Sequence, residues 1–195
     1  MVFNIIDNKL TLTKSINELD SFVLDIVQVL SKYTDYVIVS GYVAIFFGRS
    51  RATEDVDMFI KEISSDSFRL LYDEFVRAGY DFTVSDAVDL YDSYLSDGLA
   101  INLWRKDFPL MRMEIKFARK PFQRQILRER IQVTFDGHVL YFSPIEAQVA
   151  YKRTILRSDK DIEDALHLER VFHLSVEKIK YYKDLLLFYE KSDQN

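Results

Sequence analysis

Apolar residues return at two spacings along this chain. Leu19, Phe22, Val23, Ile26, Val27 and Leu30 recur every three to four positions, which places them on one face of a helix. Tyr36 to Val39 is instead an unbroken run of strand-forming residues bounded by a turn. A second helix is predicted from Gly41 to Gly48, where glycine suits a helix C-terminus. The following run, Asp55-Val56-Asp57-Met58-Phe59-Ile60, reads as a strand, in which alternate side chains share a face. Ser67 to Ala78 is an amphipathic helix stopped by Gly79, Tyr80 to Val84 reads as a strand, and Ala87 to Leu95 stays open between helix and loop. Leu99 to Trp104 and Leu110 to Phe117 form an antiparallel pair across Arg105 to Pro109. Asp136-Gly137, between Ile131 to Phe135 and Val139 to Phe142, is a strong hairpin signal because its tight turn needs positive φ.

From Ser143 onward the pattern is helical. Ser143-Pro144-Ile145-Glu146 supplies a capping residue, a proline at the first helical position and an acid in the first turn, so a helix should run to about Leu156. Ser158 or Asp159 caps the next helix, and Ser175 opens a last one carrying Ile179, Tyr182, Leu185, Leu186 and Tyr189. The chain is thus expected to be α+β: residues 1–142 form a sheet flanked by helices, and residues 143–195 form a helical bundle or lid packed on it. No linker rich in glycine, serine or proline separates the two parts, so a shared core is expected. Of 195 residues 48% are hydrophobic, enough for a sizeable core, and disorder is expected only in the polar tail Lys191 to Asn195.

Composition narrows the chemistry. Without cysteine there is no disulfide framework, thiolate zinc site or cysteine nucleophile, which fits a reducing cytoplasm. No signal peptide or apolar run of about 18 residues appears, so a soluble cytoplasmic protein with no membrane partner is expected. His138, His167 and His173 stand at no metal-ligand spacing and are read as structural. The formal net charge is −5, yet Arg105 to Arg130 holds nine basic residues against three acids. Such a segment either attracts a polyanion, such as a nucleoside triphosphate or RNA, or is a solvated face.

The residues that carry chemistry centre on Asp55 and Asp57. On one face of a strand the two carboxylates repel unless something cationic lies between them, and a hard divalent ion with oxygen ligands is the natural candidate. Met111 to Phe117 puts Arg112, Glu114 and Lys116 on one face. If that strand lies beside the aspartate strand, Glu114 becomes a third carboxylate; otherwise it is a surface charge paired with a basic neighbour. Three acids on neighbouring strands can hold two magnesium ions about 3.5–4 Å apart, one activating an attacking oxygen and one neutralising a triphosphate.

Ser40-Gly41, then Asp55-Val56-Asp57, then Glu114 resembles the signature of the nucleotidyltransferase superfamily that includes DNA polymerase beta and the small minimal nucleotidyltransferases. That signature is a hydrophobic residue with Gly-(Gly/Ser), an Asp-hydrophobic-Asp strand and a third acid on a later strand. Gly48, Arg49, Arg51 and Thr53, with Tyr151-Lys152-Arg153 and Lys160-Asp161-Ile162-Glu163-Asp164-Ala165 further on, resemble the abortive-infection and toxin-antitoxin branch. The likeness runs from about Tyr36 to Phe172. It departs from the pattern at Ser40, which stands where a glycine lets backbone approach phosphate, and at Glu114, where many relatives use aspartate.

The resemblance implies a mixed or antiparallel nucleotidyltransferase-like sheet and transfer of a nucleoside monophosphate from a triphosphate to an acceptor hydroxyl, with release of pyrophosphate (EC 2.7.7 type). Asp55, Asp57 and Glu114 are then the catalytic and metal residues for two Mg²⁺. Ser40, Gly41, Arg49, Arg51, Thr53, Lys152 and Asp161 are the nucleotide-binding candidates, with bracing, turn-stabilising or salt-bridging roles as the alternatives for the last five. Tyr42 is placed where it could touch the nucleotide. The acceptor stays open among RNA, protein and a small molecule, with residues 105–130 as the face for RNA. Two alternatives are a toxin-type enzyme acting on transfer RNA with an antitoxin partner, and an inactive nucleotide-binding or interaction protein of the same fold.

Overall fold

The computed structural model describes residues 3–53 and 55–192. Glu54, next to the aspartate pair, and residues 193–195 of the expected disordered tail lie outside the described residues; Lys191 and Ser192 of that tail belong to the last helix. The first half of the chain runs β1 (Lys9–Leu12), α1 (Glu18–Leu30), β2 (Tyr36–Val39), α2 (Gly41–Phe46), β3 (Asp55–Ile60), α3 (Ser65–Arg77) and β4 (Tyr80–Phe82). A short helix α4 (Ala87–Asp89) then widens into a π turn over Leu90–Leu95. The strands β5 (Ile101–Arg105) and β6 (Phe108–Phe117), the helix α5 (Pro121–Arg128) and the hairpin β7 (Ile131–Phe135) and β8 (His138–Phe142) follow. Three helices complete the chain: α6 (Ile145–Tyr151), which continues as a π turn over Lys152–Leu156, α7 (Asp159–Val171) and α8 (Val176–Ser192).

The eight strands form one mixed sheet in the order β1-β7-β8-β2-β3-β6-β5-β4. The two hairpins predicted from sequence are present, β5 with β6 and β7 with β8, the latter turning through Asp136 and Gly137, both at positive φ. Gly48 and Gly79 close α2 and α3 at φ +97° and +88°, as expected of C-terminal glycines. The structure departs from or adds to the sequence reading at several points. Neither β1 nor α5 was anticipated; β1 is four residues long and is ordered by pairing parallel to β7. Pro144 caps α6 in place of Ser143, which is buried behind it. Residues 87–95, open between helix and loop, are helical.

The period-two alternation of the central strands divides the core. Ile38, Val56, Met58, Ile60, Met113 and Ile115 pack in one cluster with α1, α2 and α3. Val37 and Val39 point the other way, against Phe122 and Ile126 of α5, Ala147 and Ala150 of α6, and Tyr182 and Leu186 of α8. The alternate residues Asp55, Asp57 and Phe59 therefore face the layer made by α5, α6 and α8. β8 joins β2 through the pairing of Phe142 with Ile38, and the Phe142 ring lies 4.7 Å from that of Phe46 and 5.5 Å from that of Phe47. Phe142 has no exposed surface. Phe142→Ala is expected to cost about 3–5 kcal/mol of stability, read as a lowered midpoint in chemical denaturation.

Candidate active site

β3 and β6 run parallel, and their register sets Asp57 directly beside Glu114 and Asp55 beside Arg112. On its other side Asp57 is opposite Val39, the last residue of β2, so it lies next to the turn into α2. The condition set by sequence, that the Glu114 strand lie beside the aspartate strand, is met. Asp57 and Glu114 open onto a cleft of about 430 Å³ whose lining includes the polar Ser40, Lys116, Lys120, Gln123 and Gln148 and the apolar Phe59, Phe122, Tyr151, Ile155, Leu156 and Leu186; Asp55 is exposed and is not part of that lining.

Burial, above all, raises the Asp57 carboxyl above the ordinary aspartate value. The nearby Ser40 hydroxyl pulls it back; Glu114 pushes it up, Lys116 lowers it and Asp55 raises it again. Lys116 Nζ holds Glu114 Oε1 at 2.7 Å. With Glu114 drawn to that ammonium and Asp55 exposed, no three carboxylate or imidazole side chains among the described residues converge as a ready-made cation cage. The donor set still suits magnesium, which takes one or two carboxylates and completes its shell with water and substrate phosphate.

The turn from β2 into α2 is unusual. Ser40 has φ 63° and ψ −137°, the mirror image of extended backbone, which glycine enters freely and serine does not. The serine thus holds a backbone that suits glycine. Gly41 gives space instead: a Cβ there would lie 1.9 Å from Arg51 Nη2, so a side chain would have to move the guanidinium that occupies that space.

The other predicted nucleotide-binding residues gather behind this turn, away from the cleft lining. Lys152, 1% exposed, reaches Asp161 Oδ1 at 3.1 Å and Asp164 Oδ2 at 2.8 Å. Asp164 Oδ1 lies 2.9 Å from Arg49 Nε and 3.3 Å from Arg51 Nε, as ion contacts without hydrogen-bond alignment, and Arg49 Nη2 donates to Glu163 at 2.7 Å. Burial works against ionised Asp161, but the Ser158 hydroxyl and the Lys152 ammonium outweigh it and hold its carboxyl below the usual range. Thr53 Oγ1 donates to the Asp55 carbonyl at 2.9 Å, bracing the start of β3. Tyr42, expected near the nucleotide, is instead buried in the core with its hydroxyl on Asp20 Oδ1 at 2.8 Å, because its position on α2 points into the α1 side of the sheet. His167 is structural, its Nε2 3.1 Å from the Phe47 carbonyl.

Sequence reasoning did not pick out Gln148, which is buried on α6 and accepts the Ser40 N–H at 3.1 Å. The available signal was a lone amide among Ala147, Val149 and Ala150. The basic segment 105–130 is divided among β5, β6 and α5, and five of its cations meet local acids: Arg105 with Asp107, Lys106 with Asp81, Lys116 with Glu114, Arg119 with Glu62 and Arg130 with Asp35. No helix among the described residues is long and apolar enough to cross a membrane.

This architecture is the nucleotidyltransferase fold. The lincosamide antibiotic adenylyltransferase LnuA, in its lincomycin-bound crystal structure, matches it with a TM-score of 0.53 at 13% identity, over 81% of this chain and 99% of its own. An antigenic nucleotidyltransferase-like protein from Paracoccidioides brasiliensis matches with a TM-score of 0.52 at 14% identity, over 87% of this chain and 86% of its own. No family model and no curated protein matches the chain.

Two outcomes follow from the charges. Lys152→Met removes the ammonium between two buried aspartates and is expected to destabilise the fold by about 3–5 kcal/mol, measured by urea denaturation. For Asp57 the folded-state value lies above the unfolded one, so its ionisation opposes folding. The stability is fully present below the unfolded value near pH 4 and declines as pH rises through the raised one. In EDTA, Asp57→Asn should therefore be more stable than the parent near pH 7. The gap should close as pH falls towards about 4, and thermal melts across that range measure it.

Proposed function

We propose that this chain is a nucleotidyltransferase that moves a nucleoside monophosphate from a nucleoside triphosphate to an acceptor hydroxyl. The observation that carries the reading is the pairing of Asp57 with Glu114 across the β3–β6 seam, at the head of a cleft that also contains the Ser40 turn. The fold it shares with an adenylyltransferase supports the same class of reaction. The acceptor oxygen would bond to the α-phosphorus as the bond to the bridging oxygen breaks and pyrophosphate departs, while the acceptor proton leaves towards Glu114. In-line transfer of this kind depends mainly on positioning and charge neutralisation.

Asp55, Asp57 and Glu114 would hold two Mg²⁺. When bound, magnesium supplies neutralising charge at the triphosphate and a more acidic acceptor hydroxyl. The Ser40 hydroxyl and the Gly41 backbone would meet the triphosphate, with Lys116 at the same end of the cleft. Arg49, Arg51, Thr53, Lys152 and Asp161 would act mainly by bracing the turn and the start of β3. The apolar wall of Phe122, Tyr151 and Ile155 is unsuited to phosphate and would take a ring of the nucleotide or acceptor.

The test incubates the protein with each labelled triphosphate and magnesium, in parallel with total cellular RNA, protein and small-molecule extract, and asks which acquires label as pyrophosphate appears. Asp57→Ala should remain folded and lose at least about a hundredfold in turnover, and EDTA should abolish transfer. Undiminished turnover in that variant would sink the mechanism.

A further inference from the structure

Ser40 makes the reversal from β2 into α2 with a backbone that costs a non-glycine residue energy, and such a conformation persists only where its surroundings over-determine it. Gln148 supplies that constraint. Its Oε1 accepts the Ser40 N–H at 3.1 Å and its Nε2 donates to Ser143 Oγ at 2.5 Å, so both ends of the amide are used and its orientation is settled by its partners. Ser143 in turn has no exposed surface and donates its own N–H to the Ile38 carbonyl at 3.0 Å, in the strand that leads into Ser40. The amide therefore closes a loop between the end of β8, the first turns of α6 and the end of β2.

Core packing does not require a glutamine here. Ala147, Val149 and Ala150 beside it are buried apolar residues, and a buried amide is disfavoured unless its hydrogen bonds are made. Its partner Ser40 lies on a separate element, next to Val39, the residue paired with Asp57, and lines the same cleft as Asp57. We propose that Gln148 is a positioning residue: it clamps the Ser40 amide so that a serine can hold a glycine backbone at the turn beside Asp57. The activity readout for this role rests on the nucleotidyl-transfer reading; the clamp itself rests on the hydrogen bonds alone.

Gln148→Leu should let Ser40 relax to ordinary backbone and shift the turn beside Asp57. With Ser40→Gly in place the same backbone is accessible without the clamp. The experiment is a four-cornered cycle of the parent, Gln148→Leu, Ser40→Gly and the double variant, with kcat and KM for the triphosphate measured alongside thermal midpoints. Gln148→Leu is expected to lower kcat at least about tenfold in the parent, the order that one strained residue represents, and by less than about threefold in the Ser40→Gly background. Equal losses in both backgrounds would overturn the proposal, since a packing defect does not depend on residue 40. If Gln148→Leu does not fold, Ser143→Ala, which releases only the Nε2 end, should show the same background dependence with a smaller drop, and its absence overturns the idea. If the parent transfers no nucleotide and matches Asp57→Ala, the transfer reading has failed by itself. Amide hydrogen exchange over residues 38–42 then decides: exchange accelerated by Gln148→Leu only in the Ser40 background supports the clamp, and unchanged exchange refutes it.

Discussion

A carboxylate with no exposed surface is tolerated only among cations, and Asp164 has three of them. Lys152 comes from the end of α6, and Arg49 and Arg51 come from the segment between α2 and β3. This cluster therefore ties the C-terminal helices to the segment that leads into the aspartate strand. Its reach extends to the site itself, because the Arg51 guanidinium fills the space over Gly41. Substituting a larger residue at position 41 would displace the arginine, and displacing the arginine would take a counter-charge from Asp164.

On the other side of the turn the charge imbalance has the opposite sign. Asp57 is partly buried with Glu114 beside it and Asp55 further along the same face, tempered by the Lys116 ammonium and the neutral Ser40 hydroxyl. Such a site is unfavourable for folding and favourable for cation binding, for the same electrostatic reason. The cation-rich cluster and the carboxylate-rich cleft are separated by little more than the Ser40-Gly41 turn. The rigid side thus supports a side that stores electrostatic tension, which is how strained or charged sites are usually kept in place.

Much of this arrangement is legible in the chain. Alternation through Asp55 to Ile60 correctly assigns the two faces of β3, and the Asp-Gly turn correctly gives the β7–β8 hairpin, because both depend on local geometry with a fixed period or a required φ. The neighbour relation of Asp57 and Glu114 depends on β6 crossing over to lie parallel to β3, which the sequence order cannot determine; it could be stated only as a condition. β1 escaped notice because four residues offer too few periods for a pattern. The π turn at Lys152–Leu156 escaped because no residue pattern marks it; Lys152 at its start faces α7, while Tyr151 and Ile155, four apart, line the cleft. A lysine on a helix looks like a phosphate ligand or a surface charge in sequence, and here its burial makes it part of the brace.

The basic segment makes the same point about electrostatics. A surplus of positive charge between Arg105 and Arg130 promises a field extending into solvent, but field depends on where the opposing acids stand in space, and those acids are distant in sequence. Asp35, Glu62 and Asp81 each meet a cation of this segment, and Asp107 meets one from within it. Exposed pairs of this kind add little stability, yet each replaces a monopole by a dipole whose influence decays much faster with distance. The charge that counts in the cleft is then local, where Lys116 stands beside the carboxylates it partly neutralises. Its ammonium is held by Glu114 at 2.7 Å, so any ligand that draws on Lys116 must also change the charge balance at Glu114.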